Sequence, residues 1–597
     1  MIIEHYKTFQ RELDHEHNML MVRSSRVSLL RLFFFLITAL CSYFYYSKDT
    51  ILFLIPAVIS FILFVLAIKY HNSIKEKIQL NREMANECSR GIDRIDGKWN
   101  TFEEMGSEFI DDDHPFSSDL DIFGQASLYQ MIQCSSTEPG KKKLADLLSI
   151  REPVVEEIRE RQDAIVELSK KYLWRIRFTA TGRLQKAIGQ NPGELAQWAV
   201  HGHLKLSFPP LKIMARIAPF AMIFSLAFSI GGLIPLLVPG LLFVLYTLVA
   251  LPGMKLSSSE FAVTECYRDD IARYKELITL FQNENFQSSF LNKLQKPLRE
   301  NKGAEDAISK LESLVDLSHM RFSSLHGLVN FLFLWDYNIL VSMNNWKKSH
   351  GSNLLMWIES VGYCEALTSL SVINHENPQW AVPEFSQSFE AHDLGHPLIN
   401  ENNRVCNDVE IKKDGDVHLI TGSNMSGKST LLRSIALSQV MAYSGSAVCS
   451  KKIALKALPV FTSMRINDNL DKNISSFYAE IDRIAGIVKA AEKHKILFFL
   501  DEIFRGTNSE DRRTGAQAII QFLSKKKSTG LVSTHDLELA HLEKRQDIQL
   551  YNYHFREKYI DGKIFFDYTL LDGVSTTRDA IYLMKMIGLP IDSDMGD

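Results

Sequence analysis

Between Arg216 and Lys255 the sequence carries no charged residue. A run of that kind can be a buried pair of core helices or a pair of membrane spans, and its length and charge exclusion favour the membrane. Gly231, Gly232 and Pro235 fall in its middle, where a turn would divide it into Ile217–Ile230 and Leu236–Leu251. Two further uncharged runs, Leu32–Tyr46 and Ile51–Ile68, are separated by Lys48 and Asp49. A spanning helix needs about 20 apolar residues, because the hydrocarbon core is about 30 Å thick and each residue rises 1.5 Å. The Leu32–Tyr46 run reaches that length if Val27 to Leu30 join it and Arg31 snorkels toward the headgroups.

The four runs are therefore expected to form two transmembrane helical hairpins, at 27–70 and 215–254. Basic residues set the expected orientation. Lys7, Arg11, Arg23, Arg26 and Arg31 precede the first hairpin, and Lys69, Lys75 and Lys77 follow it. Lys205, Lys212 and Arg216 precede the second, and Lys255 follows it. Both hairpins would dip outward and return, leaving the large segments in the cytosol. The expectation is an integral protein of the inner (cytoplasmic) membrane, with membrane lipid as a partner. The long N-terminus of mixed charge, with no small-residue cleavage site after the apolar run, argues against a cleaved signal peptide. A fifth apolar stretch, Leu328–Met343, is interrupted by Asp336 and Asn338. It reads as a buried helix of the soluble part, because an acidic residue in mid-span is costly.

Elsewhere the composition is ordinary, with 23% charged residues and a net charge of -4, so no global basic field advertises nucleic acid. The seven cysteines form no CxxC pair and read as reduced thiols. Residues 80–205 and 256–385 read as helical. Ile271, Tyr274, Leu277, Ile278 and Phe281 mark one amphipathic face, and Ile308, Leu311, Leu314 and Val315 another.

Chemistry concentrates further on. Val417 to Thr421 is a short apolar strand, followed by Gly422-Ser423-Asn424-Met425-Ser426-Gly427-Lys428-Ser429 and a periodic helix from Thr430. This is the pattern GxxxxGKS/T in its strand–loop–helix setting. The glycines let backbone N–H groups turn inward around phosphate oxygens, and the helix presents its positive end to the same anion. Lys428 would reach the β- and γ-phosphates of ATP, and the Ser429 hydroxyl would ligate Mg²⁺. Ile496 to Leu500 is a continuous apolar run, as in a strand buried on both faces, and it ends in Asp501-Glu502. Asp501 is placed to hold the Mg²⁺ shell, and Glu502 to take a proton from an attacking water. A third strand, Thr529 to Ser533, delivers His535, which can hydrogen-bond near a γ-phosphate. Between the first two motifs, Ser475 and Ser476 open a helix with the stripe Phe477, Ile481, Ile484, Val488 and Ala491. Spacing leaves open whether Ser475 simply caps that helix or faces another subunit's γ-phosphate.

Taken together these segments resemble the MutS family. Thr421 to Thr430 resembles its TGPNMGGKST loop, departing at Ser423 and Ser426. Asp501-Glu502-Ile503-Phe504-Arg505-Gly506-Thr507 resembles DEIGRGT, with Phe504 for Gly. Ser475 to Glu480 resembles STFMVE, Thr534-His535 the switch histidine, and Gly588-Leu589-Pro590 the end of the ATPase domain. Leu120 to Leu144 resembles the start of the family's helical core.

The resemblance implies an α/β P-loop (ABC-type) ATPase domain plus an all-α core/lever domain, beside the two hairpins. It implies ATP and Mg²⁺ as cofactors, with Lys428, Glu502 and His535 catalytic, Gly422 to Thr430 and Ser475 binding nucleotide, and Ser429 and Asp501 on the metal. It also implies a homodimer through the ATPase domain, Ser475 acting in trans, and DNA as a partner. The implied division is a cytosolic segment 1–26, hairpin 27–70, helical core 71–214, hairpin 215–254, helical core and lever 255–385, and ATPase domain 386–597. Membrane runs occupy the place of the family's mismatch-reading domain, the second hairpin sits where the DNA-gripping clamp would be, and Asn473 replaces a signature glycine.

Overall fold

The computed structural model describes residues 2–48, 51–184, 192–200, 209–300, 303–423, 425–464, 476–504, 507–545, 547–560 and 563–575. The expected site residues Asn424 and Ser475, together with Arg505, Gly506 and Gly588 to Pro590, lie outside them. The chain divides into two compact units.

One unit comprises residues 1–92, 134–141 and 171–366 and is helical. It begins with two long helices, Ile2–Lys48 and Leu54–Ile95, both long and apolar enough to cross a bilayer by length and composition. They pack along a narrow seam. Leu20 and Val27 of the first meet Ile74 of the second, and Ser60 donates to the Phe34 carbonyl at 2.8 Å. Their outer faces stay open, with Leu32, Phe33, Phe35, Leu52, Ile55 and Phe61 all more than half exposed.

A second hairpin pairs Pro209–Ile230 with Leu237–Cys266, turning at the expected Gly231 and Gly232. Its apolar runs, Arg216–Ile230 and Leu237–Leu251, fall in the range of 10–17 residues. At 1.5 Å per residue each of these runs reaches about 23 Å, short of the roughly 30 Å hydrocarbon core.

The stretch Leu328–Met343 is not one buried helix. A short helix, His326–Phe333, ends where Leu334 takes a left-handed conformation (φ 50°), and the long helix Trp335–Glu376 starts again beyond it. Leu334 is fully buried against Tyr337, Ala218 and Tyr246 of the second hairpin, which supplies the packing that holds this conformation without a glycine. Leu328 itself is 56% exposed.

The other unit comprises residues 93–133, 142–170 and 367–597 and carries both sheets, so this division cuts across the expected 71–214 segment. Ten strands build them: β1 (Glu384–Phe385), β2 (Phe389–Leu394), β3 (Asn407–Ile411), β4 (Asp416–Thr421), β5 (Lys452–Leu455), β6 (Val460–Ser463), β7 (Leu497–Asp501), β8 (Thr529–Thr534), β9 (Gln549–Ile560) and β10 (Lys563–Asp572). The smaller sheet has the order β1-β5-β2-β3, and the larger β10-β9-β4-β8-β7-β6. In the larger sheet β9, β4, β8, β7 and β6 pair in parallel, and only β10 runs antiparallel.

Every residue of β4, β7 and β8 is buried, which explains why β7 reads as a continuous apolar run rather than an alternating one. The helices Ser476–Lys493 and Ser509–Lys525 supply Ile484, Ile487, Ala516 and Ile520 to the core over Val417, Phe498 and Val532.

Residues 96 to 127, expected to be helical, form turns and short 3-10 pieces instead. Gly97, Gly106 and Gly124 break them, each at positive φ. The segment packs as irregular chain against β6. Asp119, fully buried, accepts from Thr462 Oγ1 at 2.6 Å and from Met464 N at 3.0 Å, with Arg483 3.5 Å away.

Candidate functional site

Three neighbouring strands of the larger sheet run parallel, so their C-terminal ends open on one edge. The β4 end leads into the loop from Gly422, the β7 end carries Asp501 and Glu502, and the β8 end leads to His535. The loop backbone needs its glycines. Gly422 has φ 143° and Gly427 φ 109°, and Met425 at 69° is 85% exposed. At Gly427 a Cβ would also press on Tyr568 at 3.2 Å. The helix Lys428–Ser444 then starts directly at the lysine.

Three of the candidates meet. Lys428, only 4% exposed, donates through Nζ to the carbonyls of Gly422 and Ser423, both at 2.7 Å. The same Nζ lies 3.4 Å from His535 Nδ1 and 3.9 Å from Glu502 Oε1. His535 Nε2 is bonded to that Glu502 carboxylate, and its Nδ1 lies 3.0 Å from Gly422 O, a distance that fits Nδ1–H donating. Glu502 sits at φ 48° and Phe504 at 61°, uncommon values for side chains of their size. Such strain, of order 1–3 kcal/mol per residue, persists only where the surroundings hold it. Two contacts hold it here. Glu502 N donates to Ser533 O at 3.1 Å, and Phe504 N donates to the buried Glu480 carboxylate. Asp501, 8% exposed, accepts from Ser533 Oγ.

A cavity of about 470 Å³ opens beside the loop. Ser423, Met425, Gly427, Lys428, Ser429 and Thr430 form its floor, and Glu502 one wall. Phe555 and Tyr568 of the β9–β10 ribbon close another side, and His396, Asn403 and Val405 a third. Burial, with Arg433 and Arg404 near by, pushes the His396 imidazole down to about 4, so this wall stays neutral at pH 7. Among the described residues the hydroxyls of Ser423 and Ser426 are buried without a hydrogen-bond partner. Two orphan hydroxyls beside a buried ammonium fit a polyanion. No group of three or more His, Cys, Asp or Glu able to hold a metal occurs among the described residues. Ser429 lines the cavity and Asp501 ends β7, and a hydroxyl and a carboxylate are hard-oxygen groups of the kind Mg²⁺ takes.

One residue that sequence reasoning missed belongs to this site, and a second was seen without its partner. Glu557 of β9, 3% exposed, accepts from Ser423 N at 3.0 Å, so a carboxylate already faces the loop. Nothing in the local sequence marks it, because it arrives from a strand 134 positions beyond Ser423. Glu480 was visible as the last residue of the Ser475 to Glu480 segment, but its partner, the backbone of Phe504, was not.

The comparisons agree with this geometry. The family profile described as MutS domain V matches residues 418–593. The DNA mismatch repair protein MutS of Aquifex pyrophilus is 31% identical over 246 residues, 40% of this chain and 28% of that protein. The protein of the same name from Streptococcus mutans is 30% identical over 265 residues, 43% of this chain and 31% of its own. That from Clostridium tetani is 31% identical over 277 residues, 45% and 31% respectively. The chain thus spans about a third of the length of these relatives. Residues 418–593, the segment that carries the loop, the acidic pair and the histidine, are thus similar to MutS domain V.

Proposed function

We propose that this protein is a membrane-anchored ATPase of MutS type that binds and hydrolyses Mg·ATP at the Gly422–Ser429 loop. The observation that carries the reading is the meeting of Lys428, Glu502 and His535 at three adjacent strand ends. When bound, Mg·ATP supplies the phosphoanhydride bond to be cleaved and a cation that offsets charge developing on it. The loop amides and Lys428 bind and orient the phosphate oxygens, Lys428 exchanging its present carbonyl partners for them. Ser429 and Asp501 hold the cation, with Ser533 fixing the Asp501 carboxylate. Glu502 takes a proton from the attacking water. His535, already bonded to Glu502, fixes where that carboxylate points.

The reading extends to partners. The ATPase domains pair as a homodimer, and Ser475 completes the partner's site in trans. The relatives' name, DNA mismatch repair protein, supports DNA as the molecule acted upon. The open apolar faces of the two hairpins support an inner-membrane location, with the sheet-bearing unit in the cytosol. The same faces favour a second reading, in which a MutS-type engine drives membrane remodelling or a transport-like cycle without DNA recognition.

The test is ATP turnover by the purified full-length protein, with and without DNA, across a salt series. Stimulation that falls steeply with salt supports action on DNA, and its absence favours the second reading. Lys428→Ala is expected to abolish ATP binding, whereas Glu502→Gln keeps binding and loses hydrolysis. Equal turnover by Glu502→Gln and the parent would remove Glu502 from its role. Ser475→Ala is expected to impair ATP-dependent pairing, and unchanged dimerisation would count against action in trans.

A further inference from the structure

We propose that residues 322–334, the turn and short helix beside the second hairpin, form an additional lipid-embedded element that dips into the bilayer without crossing it. This rests on the membrane reading of the hairpins and extends it to a segment that looks soluble by sequence. The stretch from Phe322 to Trp335 contains no acidic or basic residue except His326. The helix His326–Phe333 is about 12 Å long, far too short to span. One side of it packs on the hairpin: Phe331 meets Phe243 edge to face at 6.5 Å, and Leu334 joins the cluster with Ala218, Met222 and Tyr246. The other side is open and apolar, with Phe322 72%, Leu325 59% and Leu328 56% exposed. It continues the open face of the hairpin, where Phe220, Phe224, Leu241 and Leu248 are likewise exposed. An isolated face of this kind would be a liability in water, and here it adjoins a surface already assigned to lipid.

The polar groups support the same occupant. Backbone groups freed inside a bilayer must find partners within the protein, since no water is there to take them. At the break, Leu334 N donates to Asn330 O at 2.8 Å, and the Asn338 side-chain amide donates to the carbonyls of Phe333 and Leu334, both at 3.2 Å. The one acidic group, Asp336, is 1% exposed and has a partner on each carboxylate oxygen. His326 Nε2 lies 2.9 Å from its Oδ1, Ser257 Oγ donates to its Oδ2 at 3.1 Å, and its own N–H donates to Asn330 Oδ1 at 3.0 Å. An acidic residue that argues against a span in the sequence is thus screened from the apolar side in the structure. Arg321, which donates to the Met254 carbonyl at 3.1 Å, and Lys255 mark the headgroup level at the base of the hairpin.

The experiment uses the full chain in phosphatidylglycerol–phosphatidylethanolamine vesicles, with Cys41, Cys266 and Cys406 replaced by Ser. A nitroxide is attached at Leu325→Cys or Leu328→Cys, at Leu248→Cys on the hairpin, and at Ser313→Cys on a polar surface. Collision with oxygen, which concentrates in lipid, is compared with collision with a water-soluble nickel chelate. The proposal expects labels at 325 and 328 to give an oxygen-to-nickel ratio several-fold above that at 313 and close to that at 248. Water-like ratios at 325 and 328 beside a lipid-like 248 would overturn the proposal and leave the hairpin reading standing. A water-like 248 would overturn the membrane reading itself, and this proposal with it. Poor access to both reagents at 325 and 328 would mean that protein, not lipid, covers the face, and would equally overturn it.

Discussion

Adding the same methyl group at two glycines of the sheet-bearing unit is expected to move stability in opposite directions. Gly530 lies in β8 between β4 and β7, in register with Val417 and Phe498. A Cβ there would stand 2.2 Å from the Phe498 carbonyl oxygen and 2.6 Å from its ring. Ordinary carbon–oxygen contact lies near 3.3 Å, so the strands would have to part by about 1 Å. Overpacking typically costs about 1–3 kcal/mol, and here the obstacle is main chain that cannot rotate away, which places Gly530→Ala at about 3 kcal/mol or more. The loss of unfolded-chain entropy returns only about 0.4–1 kcal/mol. Gly486, on the exposed side of the helix Ser476–Lys493, has nothing within 4 Å of its Cβ position. Gly486→Ala is therefore expected to stabilise by about 0.5–1 kcal/mol, from helix propensity alone. Scanning calorimetry of both variants in one buffer reads the difference. Because Asp501 and Ser533 sit three positions beyond Phe498 and Gly530, Gly530→Ala should also weaken ATP binding at a temperature where it remains folded. A Gly530→Ala protein as stable as the parent would refute the reasoning, as would destabilisation by Gly486→Ala.

Acid should weaken the sheet through His418. Burial between Tyr551 and Tyr553 pushes this imidazole down to about 4 from 6.5, so below pH 6.5 the unfolded chain takes a proton that the folded one refuses. Its contribution is present above pH 6.5 and lost as pH falls toward 4, about 2 kcal/mol between pH 7 and pH 5, and His418→Phe should flatten that part of a urea-midpoint-versus-pH curve. An unchanged curve would remove His418 as the cause. Glu557→Gln deletes a negative charge bonded to the phosphate-facing loop, and ATP is expected to bind roughly tenfold tighter by fluorescent-nucleotide titration. Weaker binding would instead make Glu557 part of the site's working chemistry. Asp119→Ala takes this acceptor from the buried Met464 amide and one partner each from Thr462 and Arg483, and should cost about 1–3 kcal/mol, whereas Asp119→Asn, which keeps one acceptor, should cost less. Equal melting of Asp119→Ala and the parent would contradict the burial argument.

The candidate site was largely legible because its parts are local. Each of its three segments is a strand with a polar tip, and burial on both faces of a parallel sheet writes β7 as an unbroken apolar run. Which strands lie side by side was not local: β8, the last of the three in the chain, stands between β4 and β7. Glu557 and Tyr568 escaped because they enter from a ribbon whose alternating aromatic and charged residues carry no phosphate signature. Asp119 escaped for a similar reason: its partners at Thr462 and Met464 lie more than 340 positions away. The break at Leu334 lacked the usual punctuation, since neither Gly nor Pro stands there. Tertiary packing imposed that conformation, and only the fold reveals it.

The position of β9 has a consequence for synthesis. β4, whose end becomes the phosphate-facing loop, is completed on one side by β9, and Asp416 pairs with Gln549, 133 positions later. At about 5–20 residues per second, a ribosome takes on the order of ten seconds to cover that distance. Throughout that interval the Gly422–Ser429 segment lacks its neighbour and its roof, while the apolar helices made far earlier have long been free to find a bilayer. On the proposed membrane and nucleotide reading, such a chain would be tethered before it could hold nucleotide, and its energy-consuming centre would first assemble in place.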